Sequence, residues 1–271
     1  MNFLICAIIK NENLYLREWV EYHLNLGFDK IILYDNNDIT GEIPNIVVQD
    51  YINCGKVEII CYRGVKTFNK YWGVQSCAYN DCLSRYKNTD NWIAFIDIDE
   101  FIFIEKYTKI QYLFEKMPYE KYDTVLLSWL TYGDSGLLYY ENKPVLERFT
   151  VPAKDFIYAD GYNYNTLVKS ITKPNDNTLF GYANAHCPST NACNVHGVKC
   201  IVDNRCNKLT GSHHHIMYIK HYYTKSLTEF LYRKIVYKKY FKISMELYKS
   251  GNDWTNEHEK IYKQFLKDNN I

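Results

Sequence analysis

The sequence lacks any apolar run close to the ~20 residues that a membrane-spanning helix needs. Its first apolar stretch, residues 3–9, ends at Lys10 and has no basic residue before it. That stretch is typical of a buried strand and not of a secretory signal. The nine cysteines form no CxxC pair, and without an export signal we expect reduced thiols and a cytoplasmic location.

Charge of one sign is also lacking, since 32 basic residues face 31 acidic ones. This balance excludes a global attraction to nucleic acid. No internal repeat and no Pro-, Gly- or Ser-rich linker divides the 271 residues. We therefore expect a single domain over residues 1–271, with a nucleotide-type front half (1–105), a substrate-shaping rear half (106–225) and C-terminal helices (226–271).

The first hundred residues alternate apolar strands with amphipathic helices. Strands are predicted at 3–9, 30–34, 57–61 and 92–96, and helices at 14–26, closed by Gly27, and at 73–86. This alternation predicts an α/β fold with a mostly parallel central sheet and helices on both faces. Ligands of such sheets bind at the C-terminal ends of the strands, where the polar clusters 10–12, 35–38 and 97–100 fall.

The second half is less regular. Strands are predicted at 124–130, 167–172 and 216–221, followed by a long helix over 226–249. The first of these strands leads into a turn-rich loop, residues 131–136. Since Gly flanks Asp134 there, that carboxylate is either a turn residue bonded to its own backbone or a group that an incoming molecule can reach.

The segment Asp97-Ile98-Asp99-Glu100 follows a predicted strand. In an extended chain Asp97 and Asp99 point to the same side, about 7 Å apart. Two carboxylates that close repel each other unless a cation lies between them, and Mg²⁺ or Mn²⁺ binds carboxylate, phosphate and water oxygens. The segment is therefore either a metal–diphosphate site or a strand end with solvated acids.

Two other motifs can be compared with this segment. An EF-hand loop that starts at Asp97 requires Gly at its sixth position, which is Ile102, so that interpretation fails. A phosphohydrolase of the haloacid-dehalogenase type also has a DxD after an apolar strand. It usually has Thr or Val where this chain has Phe101, so it stays a weaker alternative.

Short motifs follow one another along about residues 3–235: Lys10-Asn11-Glu12, residues 16–23 and 34–37, Gln75 to Leu83, residues 92–101, Ser128-Trp129-Leu130, Gly133 to Gly136, Glu147-Arg148-Phe149, Lys169-Ser170-Ile171, His221-Tyr222 and Lys225-Ser226. Their order resembles glycosyltransferase family 92 and its bacterial relatives. Each motif is weak alone, but their order is specific. Asp134 departs from the small residue expected in the GxSG loop, and residues 187–215 match nothing in that pattern.

The resemblance implies a GT-A fold and a metal-dependent, inverting transfer of a hexose, galactose first, from a UDP-sugar to a glycan or glycolipid hydroxyl. It places the nucleoside and donor against Ala7, Ile8, Lys10, Glu12, Asp35, Gln75, Asp81 and Lys225. It gives Mn²⁺ or Mg²⁺ the ligands Asp97, Asp99 and His221. Inversion requires a carboxylate base, for which Asp134 comes first and Glu147 and Asp160 follow. A non-catalytic binding module with the same fold remains the alternative.

Two further segments stay open. Cysteines and histidines crowd residues 186–215, but their spacings are not the short pairs of zinc ribbons. Zinc, a disulfide or free thiols in an acceptor loop are all compatible with them. The predicted helix 226–249 is basic and amphipathic, so it either lies peripherally on the inner face of an anionic membrane, near a lipid-linked acceptor, or packs on its own domain.

Overall fold

A computed structural model of the protein describes residues 1–66, 73–153, 163–181, 185–189, 191–200, 214–235 and 241–270. The strands in these residues are β1 (Asn2–Ile9), β2 (Lys30–Asp35), β3 (Val57–Cys61), β4 (Asn91–Phe95), β5 (Glu100–Ile104), β6 (Thr124–Thr131), β7 (Val168–Thr172), β8 (Ala192–Asn194) and β9 (Met217–His221). The helices are α1 (Asn13–Leu26), α2 (Asn45–Asn53), α3 (Val74–Arg85), α4 (Ile110–Lys116), α5 (Val145–Arg148), α6 (Leu227–Ile235), α7 (Phe241–Gly251) and α8 (Asn256–Asp268).

The strands form one sheet in the order β3-β2-β1-β4-β7-β6-β9-β5, and β8 pairs with β6. β1, β2, β3 and β4 pair in parallel, which confirms the predicted α/β class. β7 pairs antiparallel with both β4 and β6. The polar residues after β1, β2 and β4 therefore lie at one edge of the sheet, as parallel pairing requires.

Helices cover both faces of the sheet, as predicted. Side chains alternate along a strand, so Leu4 and Phe3 point to opposite faces. On one face Leu4, Cys6 and Phe95 pack against α3 through a cluster that includes Ala78, Tyr79, Cys82 and Leu83. On the other face the Phe3 and Trp92 rings contact Phe114 of α4, with centroids 4.8 and 5.1 Å away.

Helix α1 ends where the sequence predicts. Trp19, Val20 and His23 are buried on its inner side. Gly27 follows with φ +107°, and its N–H bonds the carbonyls of His23 and Leu24. Glycine suits this left-handed position because it has no Cβ. The turn delivers the chain into β2.

The chain divides into two compact units, one formed by Met1–Trp129 with Thr166–Ile219 and one by Leu130–Asn165 with Lys220–Ile271. These limits differ from the predicted halves at 105 and 225. The first unit contains most of the sheet. The core of the second unit joins α6, α7 and α8 through Leu227, Phe230, Leu231, Phe241, Met245, Tyr248 and Phe265.

The predicted helix 226–249 is helical over α6 and α7, and residues 236–240 lie outside the described residues. Its apolar stripe packs on the second unit's own core, with Phe230 and Leu231 buried. In the part of the chain that the structure describes, no helix has both the length and the apolar character needed to cross a bilayer.

Candidate functional site

The acidic turn, residues 97–100, connects β4 to β5. Strand β4 ends at Phe95 and β5 begins at Glu100. The Glu100 N–H bonds the Asp97 carbonyl at 3.1 Å, so the chain reverses there. The expectation that Asp97 and Asp99 project to the same side of an extended strand is therefore wrong in its geometry, because the two carboxylates belong to a turn. Asp99 is buried, whereas the Asp97 side chain is 36% exposed.

Three side chains from two elements hold the Asp97 carboxylate. The Lys169 ammonium, on β7, donates to Oδ2 at 2.8 Å. The Gln75 amide and the Tyr79 hydroxyl, both on α3, donate to Oδ1 at 2.9 and 3.3 Å. Since Gln75 and Tyr79 are four residues apart on a helix, they share one face. Gln75 thus lies at the acidic turn, as the resemblance implies.

Glu100 is the buried member of the turn. Its Oε2 accepts the Asp97 N–H at 2.9 Å and lies 3.5 Å from the Lys169 ammonium. Burial, with the negative charges of Asp97 and Asp99, raises the pKa of Glu100 well above its usual range. Burial alone would lower the pKa of Lys169, but Asp97 and Glu100 outweigh it and raise that pKa. The cluster therefore keeps its cation at neutral pH.

The donors of the turn fit a hard cation that is shared with phosphate. Within the described ranges no three His, Cys, Asp or Glu side chains converge into a complete metal site. A nucleotide-bound Mg²⁺ or Mn²⁺ takes only one or two protein carboxylates, because phosphate and water complete its shell. Asp97 is partly exposed, and Glu100 Oε1 is a buried oxygen without a hydrogen-bond partner. The turn thus offers oxygen donors with unused capacity.

The loops after β1 and β2 bind each other beside the sheet edge. The Lys10 ammonium donates to Asp38 and the Asn11 N–H to Asn37 Oδ1, at 2.9 and 2.8 Å. Asp35 is buried and paired with Arg63 at 2.7 Å. If Asp35 contacts the nucleoside as predicted, it does so while its carboxylate is paired with Arg63.

Arg63 shapes the β2 loop. Its guanidinium donates to the carbonyls of Asp38, Ile39, Gly41 and Glu42 as well as to Asp35. Five donors in a fixed fork suit Arg for tying down a loop in this way. The loop is preformed by these bonds.

The remaining residues that were predicted to contact the nucleotide-sugar lie as follows. Ala7 is buried in β1 and Ile8 is half-buried. Glu12 stands at the N-cap of α1. Asp81, on α3, accepts the Tyr34 hydroxyl at 2.6 Å and the Arg85 guanidinium at 2.7 Å. In this structure the described contacts of Asp81 are thus with neighbouring side chains.

The carboxylate of Asp134, the first candidate for the base, is enclosed by other groups of the second unit. Its Oδ1 accepts the Gly136 N–H at 2.8 Å and its Oδ2 accepts the Tyr248 hydroxyl at 2.6 Å. His258 Nε2, on α8, lies 3.2 Å from Oδ2. All three side chains are buried. The first interpretation of Asp134, a residue that bonds its own turn, agrees with the Gly136 contact.

The other predicted residues of the second unit differ in how far their side chains are exposed. Glu147, on the short helix α5, is exposed. Asp160 lies outside the described residues. His221 and Lys225 are buried, and the His221 ring lies 5.7 Å from that of Tyr223. Their roles as third metal ligand and diphosphate contact stay predictions.

The Cys/His-rich segment is described only in part. Cys187 and Cys193 are buried and Cys200 is partly exposed, while Cys206 and His213 lie outside the described residues. His186 bonds the Val168 carbonyl through Nδ1 at 2.7 Å. Burial, helped by the Lys169 charge, lowers the pKa of His186 to about 4. His186 is therefore neutral at physiological pH.

Sequence reasoning gave no role to Lys169, Glu100 or Tyr79. A lysine within the buried strand β7 is a signal in itself, because lysine is almost never buried without a partner. Glu100 directly follows the DxD, and Tyr79 follows Gln75 by one helical turn. The sequence does not show that Lys169 contacts Asp97 and Glu100 in the folded chain.

Among known protein families, glycosyltransferase family 92 matches residues 2–270 of this chain. Galactan beta-1,4-galactosyltransferase GALS2 of Arabidopsis thaliana is 31% identical over 116 residues, which are 38% of this chain and 22% of the relative. A glycosyltransferase family 92 protein of Oryza sativa subsp. japonica is 28% identical over 98 residues, covering 36% and 15%. The matched part is thus only 15–22% of these relatives' length.

Solved structures give weaker likenesses. S. aureus TarS 1-349 aligns with a TM-score of 0.43 and 12% identity, over 98% of this chain and 71% of that one. The galactosyltransferase LgtC, in complex with donor and acceptor sugar analogs, aligns with a TM-score of 0.39 and 11% identity, over 95% and 99%.

Proposed function

Because the chain belongs to glycosyltransferase family 92, and is therefore a glycosyltransferase, we propose that it transfers a hexose, galactose first, from a UDP-sugar to a glycan or glycolipid hydroxyl. That membership favours this activity over the phosphohydrolase and over the non-catalytic module. The observation that carries the proposal is the acidic turn, whose half-exposed Asp97 is held by Lys169 and Gln75. The galactan galactosyltransferase relatives support galactose as the donor sugar.

The chemistry of the donor set supports a divalent cation at this turn. Asp97 and Asp99 would hold Mn²⁺ or Mg²⁺, with His221 as the further ligand that the family resemblance implies. When bound, the ion acts as a Lewis acid that stabilises the negative charge of the departing diphosphate. Lys169, through Asp97, fixes the carboxylate in place before the donor arrives. Gln75 and Tyr79 fix it from the other side, so little reorganisation is needed at the moment of reaction.

Inverting transfer also needs a base for the acceptor hydroxyl. A base must reach the proton it removes within hydrogen-bond distance, so it must be accessible to the acceptor. Glu147 is exposed, whereas Asp134 is buried and bonded to Tyr248 and Gly136. Exposure therefore favours Glu147 over Asp134, and Asp160 remains the third candidate. Glu147→Gln should then lower kcat by about 10²–10⁴.

The experiment that tests the donor site is a thermal melt with UDP, with and without Mn²⁺. At about 100 times its Kd a ligand adds about 2.7 kcal/mol to stability, which is a shift of roughly 5–10 °C for a chain of this size. We expect that shift only when UDP and Mn²⁺ are both present. Equal shifts in EDTA would contradict metal dependence. The same melt across UDP-galactose, UDP-glucose and UDP-N-acetylglucosamine tests the sugar.

Peripheral contact with an anionic membrane belongs to the same proposal, through residues 226–249. Lys242 is exposed there, while the Lys234 ammonium lies 4.1 Å from the Tyr223 ring and the Lys249 ammonium 4.2 Å from that of Trp254. Each surface cation can add about 1 kcal/mol near anionic lipid. Liposome flotation that fades in high salt supports the contact. Equal partitioning into neutral and anionic vesicles, or none into either, contradicts the contact.

A further inference from the structure

Lys169 is a cation buried inside an apolar strand. It is 2% exposed, and Val168, Ser170 and Ile171 beside it in β7 are buried as well. Strand β7 pairs antiparallel with β4, with Phe95 opposite Ser170. Continued by one residue, this register brings Lys169 to the end of β4, where the acidic turn begins. Such burial is tolerated only when the charge is compensated.

The acidic turn brings three carboxyl groups close to this lysine. Asp97, Asp99 and Glu100 contribute three carboxyl groups, and Lys169 contacts Asp97 at 2.8 Å and Glu100 at 3.5 Å. One carboxyl oxygen, Glu100 Oε1, is buried without a hydrogen-bond partner. A buried oxygen without a donor is costly to keep, so the turn has room for a further positive or hydrogen-bonding group at Glu100. This observation is independent of any comparison with relatives.

We propose that Lys169 is a positioning residue that serves as the permanent counter-cation of the acidic turn, and that it keeps the affinity for a free divalent cation low until a diphosphate arrives. The inference rests on the proposed function, since it assumes that the donor's cation binds at this turn. The ammonium occupies one lone pair of Asp97 and offsets part of the charge that would attract a metal ion. A diphosphate would add negative charge next to the bound cation. Cation and nucleotide therefore bind cooperatively, each tightening the other by the same factor.

The test compares Lys169→Met with the wild-type protein, using Mn²⁺ as the probe. Methionine has a similar length and no charge, so a unit positive charge close to the cation is removed. We expect Mn²⁺ alone to bind Lys169→Met at least about tenfold more tightly than wild type, measured by calorimetry or electron paramagnetic resonance. The factor by which UDP tightens Mn²⁺ binding should fall. Lys169→Arg, which keeps the charge, should restore the wild-type pattern.

A matched control separates this role from simple loss of a buried ion pair. Arg148 and Glu229 form such a pair in the second unit, 2.8 Å apart and almost fully buried. Arg148→Met should lower the melting temperature without changing the affinity for Mn²⁺. Lys169→Met should regain melting temperature when Mn²⁺ is added, and Arg148→Met should not.

Other outcomes overturn the proposal. It is wrong if Lys169→Met binds free Mn²⁺ no better than wild type, or if the variant fails to fold both with Mn²⁺ and in EDTA. In either case Lys169 would be a structural residue only. Failure of the proposed function looks different, because wild-type protein would then bind neither UDP nor Mn²⁺ in each other's presence.

Discussion

Asp97 in the first unit and Asp134 in the second both follow a strand, yet the two carboxylates are held in opposite ways. The Asp97 side chain is 36% exposed and contacts a full positive charge, the Lys169 ammonium. The Asp134 side chain is 5% exposed, and a phenol, a backbone amide and a histidine surround it. A carboxylate with an open side and a charged partner can exchange contacts with a ligand. One that is closed on all sides stabilises its own fold.

The largest effect expected from this comparison is on catalysis at Asp97. Asp97→Asn removes the negative charge at the acidic turn while keeping its shape, and we expect kcat/KM to fall by about 10³, the usual loss for one group of a preorganised site. Asp90 precedes the same strand, is 65% exposed and pairs with Lys173. Asp90→Asn is therefore the matched control and should keep its activity. If Asp97→Asn keeps its activity within tenfold of wild type, the functional difference drawn between Asp97 and Asp134 is wrong.

The next effect is on stability at Asp134. Asp134→Asn weakens the bonds from Tyr248 and Gly136, and we expect the free energy of unfolding to fall by about 2–4 kcal/mol. Turnover per folded molecule should change less than tenfold. The exposed residue Asp253 of the same unit offers the control Asp253→Asn. If Asp134→Asn instead keeps its stability and loses about 10²–10⁴ in rate, Asp134 is the base after all.

The smallest effect concerns pH and the buried histidine of the first unit. His23 lies between two main-chain groups, with Nδ1 2.9 Å from the Trp19 carbonyl and Nε2 accepting the Ile102 N–H at 3.2 Å. Burial lowers the pKa of His23 to about 3. Between pH 6.5 and 3 the unfolded chain binds a proton that the folded chain does not, so stability falls as the pH falls.

His23 contributes up to about 1.4 kcal/mol per pH unit to this slope, and its contribution is complete above pH 6.5. The lowered pKa of His186 adds a contribution of the same sign. Urea denaturation at pH 7.5, 6 and 5 measures the slope. His23→Gln should flatten the slope at the cost of some stability. His215 is 77% exposed, and His215→Gln should leave the slope unchanged. An unchanged slope in His23→Gln would show that other groups carry the acid sensitivity.

Local patterns predicted the first strands and helices well. The run at 57–61 is β3, and Gly27 closes α1 as expected. Helix α2 was not predicted. It is short and irregular, since its φ and ψ leave the helical range at Val48, and no side chain caps its start. Strand β5 was not predicted either, since it opens with Glu100, a buried acid that pattern reasoning assigns to a loop.

The candidate site was predictable only in its local part. The pair of acids and Gln75 could be found from sequence, but the partner of Asp97 could not. Lys169 meets Asp97 only because β7 pairs with β4 across 72 residues of chain, and spacing within one segment contains no information about such pairing. For the same reason the sequence left open whether Asp134 is a turn residue or a base that an acceptor can reach. Tyr248 and His258, which enclose its carboxylate, lie more than a hundred residues further along the chain.

The position of β7 also has a consequence for synthesis of the protein. Strand β4 pairs with β1 on one side and waits for Val168–Thr172 on the other. At about 5–20 residues per second, a ribosome needs several seconds to supply those residues. Until then the nascent chain has an unpaired strand edge, a target for wrong pairing, next to acids without their lysine. The arrival of β7 therefore closes the edge and supplies the acids with their lysine in a single folding event.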